Sequence, residues 1–94
     1  MRATELLTIL SVDFKYGVVN EIKIEFKDQV YSIGQIIKNQ DQLILVAAEA
    51  TQQPITTKEL VTTLMLNKPL KLIKRNKSSE IIYGCRIVQN CLLL

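Results

Sequence analysis

The chain has no histidine and no tryptophan, and among its 94 residues only three glycines, two prolines and two cysteines. Each shortage excludes something. Without histidine, the commonest general base near neutral pH and the commonest transition-metal ligand are both missing. Two cysteines alone do not complete a four-ligand zinc site. Gly17, Gly34 and Gly84 stand apart from one another, so neither familiar glycine-rich phosphate loop is present. No serine occupies a nucleophile elbow. The longest apolar run, residues 43–48, is far short of the roughly 20 residues of a membrane-spanning helix. Glu5 stands where a secretion signal carries its apolar stretch, so no export signal is read. The expectation is a cytoplasmic protein that is not an enzyme, with no cofactor, no metal and no contact with a membrane.

What is present describes one folded domain, residues 1–94. Apolar residues make up 48% and charged residues 22%, which is ordinary globular usage and argues against disorder. Cys85 and Cys91 suggest a hairpin rather than a disulfide. With Gln89 and Asn90 as a two-residue turn, Val88 faces Cys91 and Cys85 faces Leu94, which puts the thiols on opposite faces of a strand pair. Reduced thiols fit the cytoplasmic expectation. Cys85 could serve as a nucleophile, but a small thiol inside a strand reads more simply as a packing residue.

The second half of the chain restates the first. Residues 3–10, ATELLTIL, lie over residues 57–64, TKELVTTL. Both carry apolar or small residues at helical spacing: Ala3, Leu6, Leu7 and Leu10, then Thr57, Leu60, Val61 and Leu64. Thr56 and Glu59 form a capping box for the second helix, and Pro69 closes it. Arg2 stands at the first helix's cap position, which predicts a weaker start. Past the helices, residues 22–24 match 70–72, residues 31–34 match 81–84, Ile37 matches Ile87, and residues 43–45 match 92–94. The offsets are 54, 48, 50 and 49, so insertions fall between elements.

These matches predict an α+β fold of two αβββ units, with about six mostly antiparallel strands and two helices related by a pseudo-two-fold axis. The halves cover approximately residues 1–49 and 55–94, joined by a linker at 50–54. Residues 21–26 alternate, with Ile22, Ile24 and Phe26 opposite Glu21, Lys23 and Glu25, as a half-buried strand does. Residues 43–48 and 92–94 are apolar on both faces and need both covered. Two helices cover one. A second sheet, closure into a barrel or a homodimer covers the other. Gly34 and Gly84 fall mid-strand at matched positions, which signals a bend or a bulge.

Two stretches differ between the halves. Residues 1–47 hold five Lys or Arg against six Asp or Glu, while residues 48–94 hold seven against three. Much of the second-half excess is Lys68, Lys71, Lys74, Arg75 and Lys77, a run able to contact phosphates. It equally suits a solvated strand edge, and the aromatic interleaving of a single-strand platform is missing. The loop at residues 11–20 is six residues longer than its counterpart and sets Phe14 and Tyr16 around Lys15, a candidate protein contact or a packing of rings over the sheet edge. The richness in Lys, Ile and Asn is similar to that of small proteins of low-GC bacteria and their mobile elements. The expected role is a small interaction or accessory protein with a protein partner or a second copy of itself. The alternative is a nucleic-acid binder of weak sequence preference using the basic hairpin.

Overall fold

The computed structural model describes every residue except Phe14, Lys15, Tyr16, Val18 and Asp28. In chain order the elements are α1 (Ala3–Asp13), β1 (Glu21–Phe26), β2 (Gln29–Asn39), β3 (Gln42–Ala47), α2 (Thr57–Leu66), β4 (Lys71–Asn76), β5 (Ser78–Ile81), β6 (Arg86–Val88) and β7 (Cys91–Leu93). The α+β class therefore holds, with two helices as expected. The strands among the described residues number seven rather than six, in one curled, mostly antiparallel sheet of order β5-β4-β3-β2-β1-β7-β6.

Local chemistry sets most of the boundaries. Thr56 caps α2 by accepting a hydrogen bond from the Glu59 amide at 3.1 Å, the first of the two bonds of a capping box. At the other end, Asn67 donates its amide to Leu64 O and its side chain to Thr63 O, which uses carbonyls that a helix end leaves over.

The start of α1 is held differently. Arg2 brings no capping oxygen, yet the Arg2 amide donates to Glu5 Oε1, the reciprocal half of a capping box, which uses the cap residue's main chain alone. Ala3 N and Thr4 N donate to Leu70 O and Lys68 O. The Arg2 guanidinium reaches Pro69 O. The weak local cap is thus offset by the turn that leads into β4.

Main-chain pairing follows the pattern of apolar residues. In β1–β2, Lys23 pairs with Ser32, Ile24 with Tyr31, Glu25 with Val30 and Phe26 with Gln29. In β4–β5, Ile73 pairs with Ile81, Lys74 with Glu80, Arg75 with Ser79 and Asn76 with Ser78. The two parallel pairs are β3–β4, with Gln42 opposite Lys71 and Leu43 opposite Leu72, and β1–β7, with Glu21 opposite Cys91 and Ile22 opposite Leu92. The Gln89–Asn90 hairpin has the anticipated form. Val88 pairs with Cys91, and both turn residues have positive φ, 51° and 65°, as a type I′ turn requires.

One core unites the helices with one face of the sheet. Ala3, Leu6 and Leu10 of α1 and Leu60 and Leu64 of α2 pack with Ile24, Ile33, Leu43, Leu45, Leu72 and Leu92, all buried. On the opposite face a row of isoleucines crosses four strands. Ile37 stands opposite Ile44, Ile44 opposite Ile73, and Ile73 opposite Ile81. Ile44 and Ile73 are buried within that row, and Ile81, on the edge strand, is exposed. This accounts for apolar residues on both faces of β3 by curling of the sheet together with cross-strand neighbours.

Candidate functional site

The run from Ser78 to Val88 has the same length as β2, yet it is broken. β2 is one strand, paired to β1 through its first part and to β3 from Ile33 onward, across a bulge between Ile33 and Gln35. The second run pairs to β4 as β5 and to β7 as β6, and residues 82–85 carry no ladder. Two facts explain the break. First, the N-terminal segment takes the β4 edge beyond β5: Leu72 N donates to Met1 O at 2.9 Å, Met1 N donates to Ile82 O at 2.6 Å, and Arg2 bridges Lys71. Secondly, the β6–β7 ladder begins at Arg86 opposite Leu93, so it does not extend over residues 82–85, whereas β3 pairs through Val46 and Ala47 with Gln35 and Ile33.

A cavity of about 310 Å³ opens at this break, between residues 81–86 on one side and Glu25, Lys74 and Leu94 on the other. Lys74 lies across it. Its Nζ donates to Glu25 O and to Leu94 O, the latter at 3.1 Å, and sits 5.3 Å from the centroid of the Phe26 ring, within cation–π range. Arg86 and Glu25 close the rim. Arg86 Nε donates to Glu25 Oε2 at 3.1 Å and Nη2 to Oε1, a two-pronged pair. That hydrogen bonding to Arg86, more than the charges of Arg86 and Lys74, holds the Glu25 carboxyl below its ordinary range.

The folded pKa of Glu25 is therefore depressed. The stability it confers is present above the ordinary value and is lost as the pH falls through the folded value. An NMR titration of the Glu25 carboxyl is expected to give a midpoint below 4.5 in the wild type, and one moved up toward 4.5 in Arg86→Ala.

The five basic residues chosen from sequence do not share one environment. Lys68, Lys71 and Lys77 are exposed. Lys74 is half-buried and engaged with two main-chain oxygens, and Arg75 Nε donates to Ser79 Oγ at 2.9 Å. The other candidate contacts, Phe14, Lys15 and Tyr16, lie outside the described residues. Both cysteines are reduced thiols. Burial, with help from the charge of Glu21, pushes the Cys91 thiol above its ordinary value, and Cys85 packs against the core.

Gly34 and Gly84 are not equivalent in the ladder. A Cβ on Gly34 would lie 2.8 Å from Ala48 Cα and 2.6 Å from Gln52 Oε1, whereas one on Gly84 meets nothing within 4 Å. Gln52 also ties this bulge down, since its Nε2 donates to Gly34 O.

Sequence reasoning singled out the charge of this region and missed its backbone. The available signal was the apolar side chains near the break. Ile81, Tyr83, Ile87 and Val88 are 51%, 84%, 41% and 41% exposed. Elsewhere, a groove between the helices is lined by Leu7, Val61 and Met65 among polar residues. A third depression lies at the start of α2 beside Ile22 and Ile33. No helix is long and apolar enough to cross a membrane among the described residues. In comparisons with known proteins, the chain matches no family model, no curated protein and no solved structure.

Proposed function

We propose that the chain is a non-enzymatic interaction module, built of two αβββ halves about a pseudo-two-fold axis, that binds another polypeptide along residues 81–88. The symmetry is supported by the pairing register. Moving β1 by 50 positions onto β4, and β2 by 49 onto β5 and β6, turns Lys23–Ser32 into Ile73–Ile81 and Phe26–Gln29 into Asn76–Ser78. Moving β3 by 49 onto β7 turns Asn39–Gln42 into Val88–Cys91. The same shifts turn the parallel pair Leu43–Leu72 into Leu92–Ile22. The positive-φ turn residues follow, with Lys27 matching Lys77 and Gln40 matching Gln89.

The observation that carries the function is the row of exposed apolar side chains at the break: Ile81, Tyr83, Ile87 and Val88. Singly such residues are ordinary; four within eight positions, on the two edge strands β5 and β6 and the run between them, offer a partner apolar side chains on both faces of that run. The titratable groups beside it support binding over catalysis. The Glu25 carboxylate is held by Arg86, and the nearest thiol, Cys85, is half-buried against the core.

The nucleic-acid reading is weaker on this geometry. Lys74 and Arg75 already have partners within the fold. Lys71 and Lys77 stand ~20 Å apart along an extended strand.

Panning a displayed library of random peptides against the protein tests the proposal. Enrichment of peptides that bind the wild type and fail to bind Tyr83→Ser/Ile87→Ser is expected. Enrichment indifferent to that double variant, or none, contradicts it. Titration of a labelled duplex and a single strand at two salt concentrations separates the alternative, for which steep salt dependence is the signature. Sedimentation at high protein concentration shows whether the polypeptide bound is a second copy.

A further inference from the structure

We infer that the groove between α1 and α2 is a binding site for a linear amphiphile, an unbranched fatty acid of medium chain length. It lies apart from residues 81–88 and does not depend on the polypeptide contact proposed there.

The two helices lack charge where a surface helix carries it. Residues 6–12 and 60–67 contain no Asp, Glu, Lys or Arg, whereas the outer face of a surface helix is ordinarily charged or polar. Leu7, Leu10, Val61 and Met65 line the groove. Met65 is exposed there, and a thioether adapts to irregular apolar contacts. The hydroxyls along α1 are turned back into their own helix. Thr8 Oγ1 donates to Thr4 O at 3.0 Å, and Ser11 Oγ donates to Thr8 O at 2.8 Å. An apolar occupant laid over them leaves neither donor unpaired, so covering them costs little.

The two ends of the groove differ. Thr4 N donates to Lys68 O at 3.0 Å, which sets the start of α1 beside the end of α2, with the helices antiparallel. Thr4 and Lys68 line the groove at this end, Ser11 and Thr57 at the other. Among the described residues, no acidic side chain lines the groove and the Lys68 ammonium is in no ion pair. A single cation at one end of an uncharged trough matches a singly charged carboxylate followed by a hydrocarbon chain.

The dimensions exclude a bulkier guest. From Thr57 to Lys68 the chain rises about 16 Å at helical pitch. Spread over that length, the cavity of about 550 Å³ is about 6–7 Å wide, room for one acyl chain but not for a helix roughly 10–12 Å across. Cavities of this size are typical of small-ligand sites. An extended dodecanoate has the length of the groove.

The test is a titration of ¹⁵N-labelled protein with decanoate, dodecanoate and tetradecanoate, each below its micelle concentration. Saturable shifts are expected at the amides of Leu7, Thr8, Ser11, Val61 and Met65. Affinity is expected to rise from decanoate to dodecanoate, by up to about fourfold for each methylene buried, and to level off at tetradecanoate, whose chain outruns the groove. Thr8→Glu, which sets a carboxylate among the apolar side chains, is expected to weaken dodecanoate binding at least tenfold. Thr8 is exposed, and unchanged amide positions outside the helices verify that the variant keeps its fold. Lys68→Met is expected to weaken decanoate about two- to fivefold, the range of an exposed ion pair, and to leave decanol binding unchanged. No saturable shift, shifts at residues 81–88 in place of the groove, affinity indifferent to chain length, or equal binding by Thr8→Glu overturns the site. A loss on Lys68→Met that decanol shares overturns the placement of the carboxylate. Dimerisation through the helices with no uptake of dodecanoate overturns the ligand and makes the groove an interface between copies.

Discussion

Gly34→Val is expected to lower the stability of the fold by about 1–3 kcal/mol, the usual cost of forcing side-chain volume into a packed site. Gly84→Val is expected to stay within roughly 0.5 kcal/mol of wild type, as exposed substitutions away from special features do. At Gly34 the new Cβ would sit 2.8 Å from Ala48 Cα. That main chain cannot yield cheaply, because Ala48 N is bonded to Ser32 O. Displacing Gln52 instead breaks its bonds to Gly34 O and Glu49 N. At Gly84 nothing lies within 4 Å. Urea unfolding of the two variants beside wild type measures the difference. Equal losses contradict the distinction between a filled bulge and an open one.

Lys74→Met is expected to cost about 1.5–3 kcal/mol, the range for hydrogen bonds to a charged group whose loss leaves a carbonyl unpartnered. Methionine keeps an unbranched stem against Phe26, so the loss reports on the ammonium. Glu25 O loses its donor, and Leu94 O keeps only the Glu25 amide. Lys71→Met and Lys77→Met, at exposed positions, are expected to fall within roughly 0.5 kcal/mol of wild type. Equal effects of the three in denaturant unfolding would mean that Lys74 is a surface charge like its neighbours.

The contrast between Lys74 and its neighbours shows what a sequence can and cannot say. Both helices and the strand alternation of residues 21–26 were legible because 3.6-residue and two-residue periods are printed in the apolar positions. The Gln89–Asn90 turn was legible for a similar reason, since it places Val88 opposite Cys91. The register between the halves was not. Matching residues 22–24 to 70–72 gives an offset of 48, whereas the duplication we propose overlays the β1–β2 ladder on the β4–β5 ladder with β1 moved by 50. A strand pattern repeats every two residues, so the two offsets look alike from apolar residues alone. Lys74 argues against an offset of 50 at the level of sequence, because a lysine does not look like the counterpart of a buried Ile24.

The glycines raise the same question of register. Gly34 and Gly84 look paired at an offset of 50, whereas the proposed shift of 49 would set Gly34 against Tyr83 and Gly84 against Gln35. The second strand of the second half therefore read as continuous. At its break, residues 82–85, the N-terminal segment lies on the β4 edge, far away in sequence, and no local pattern records it. The basic run was visible as charge. That Lys74 and Arg75 spend theirs inside the fold is a matter of tertiary contact.

Amide hydrogen exchange in the free protein tests the account most directly, because it reads the ladder and its interruption in one experiment. The amides of Ala48, Ile55, Glu25, Leu94 and Ile82, each donating to a main-chain oxygen, are expected to be protected. Those of Tyr83 and Gly84 are expected to exchange near the rate of an unstructured chain. Slow exchange throughout residues 81–86 would show a closed ladder with no break. Fast exchange at Glu25 and Leu94 would show that β7 does not dock on β1, and the paired architecture would fall.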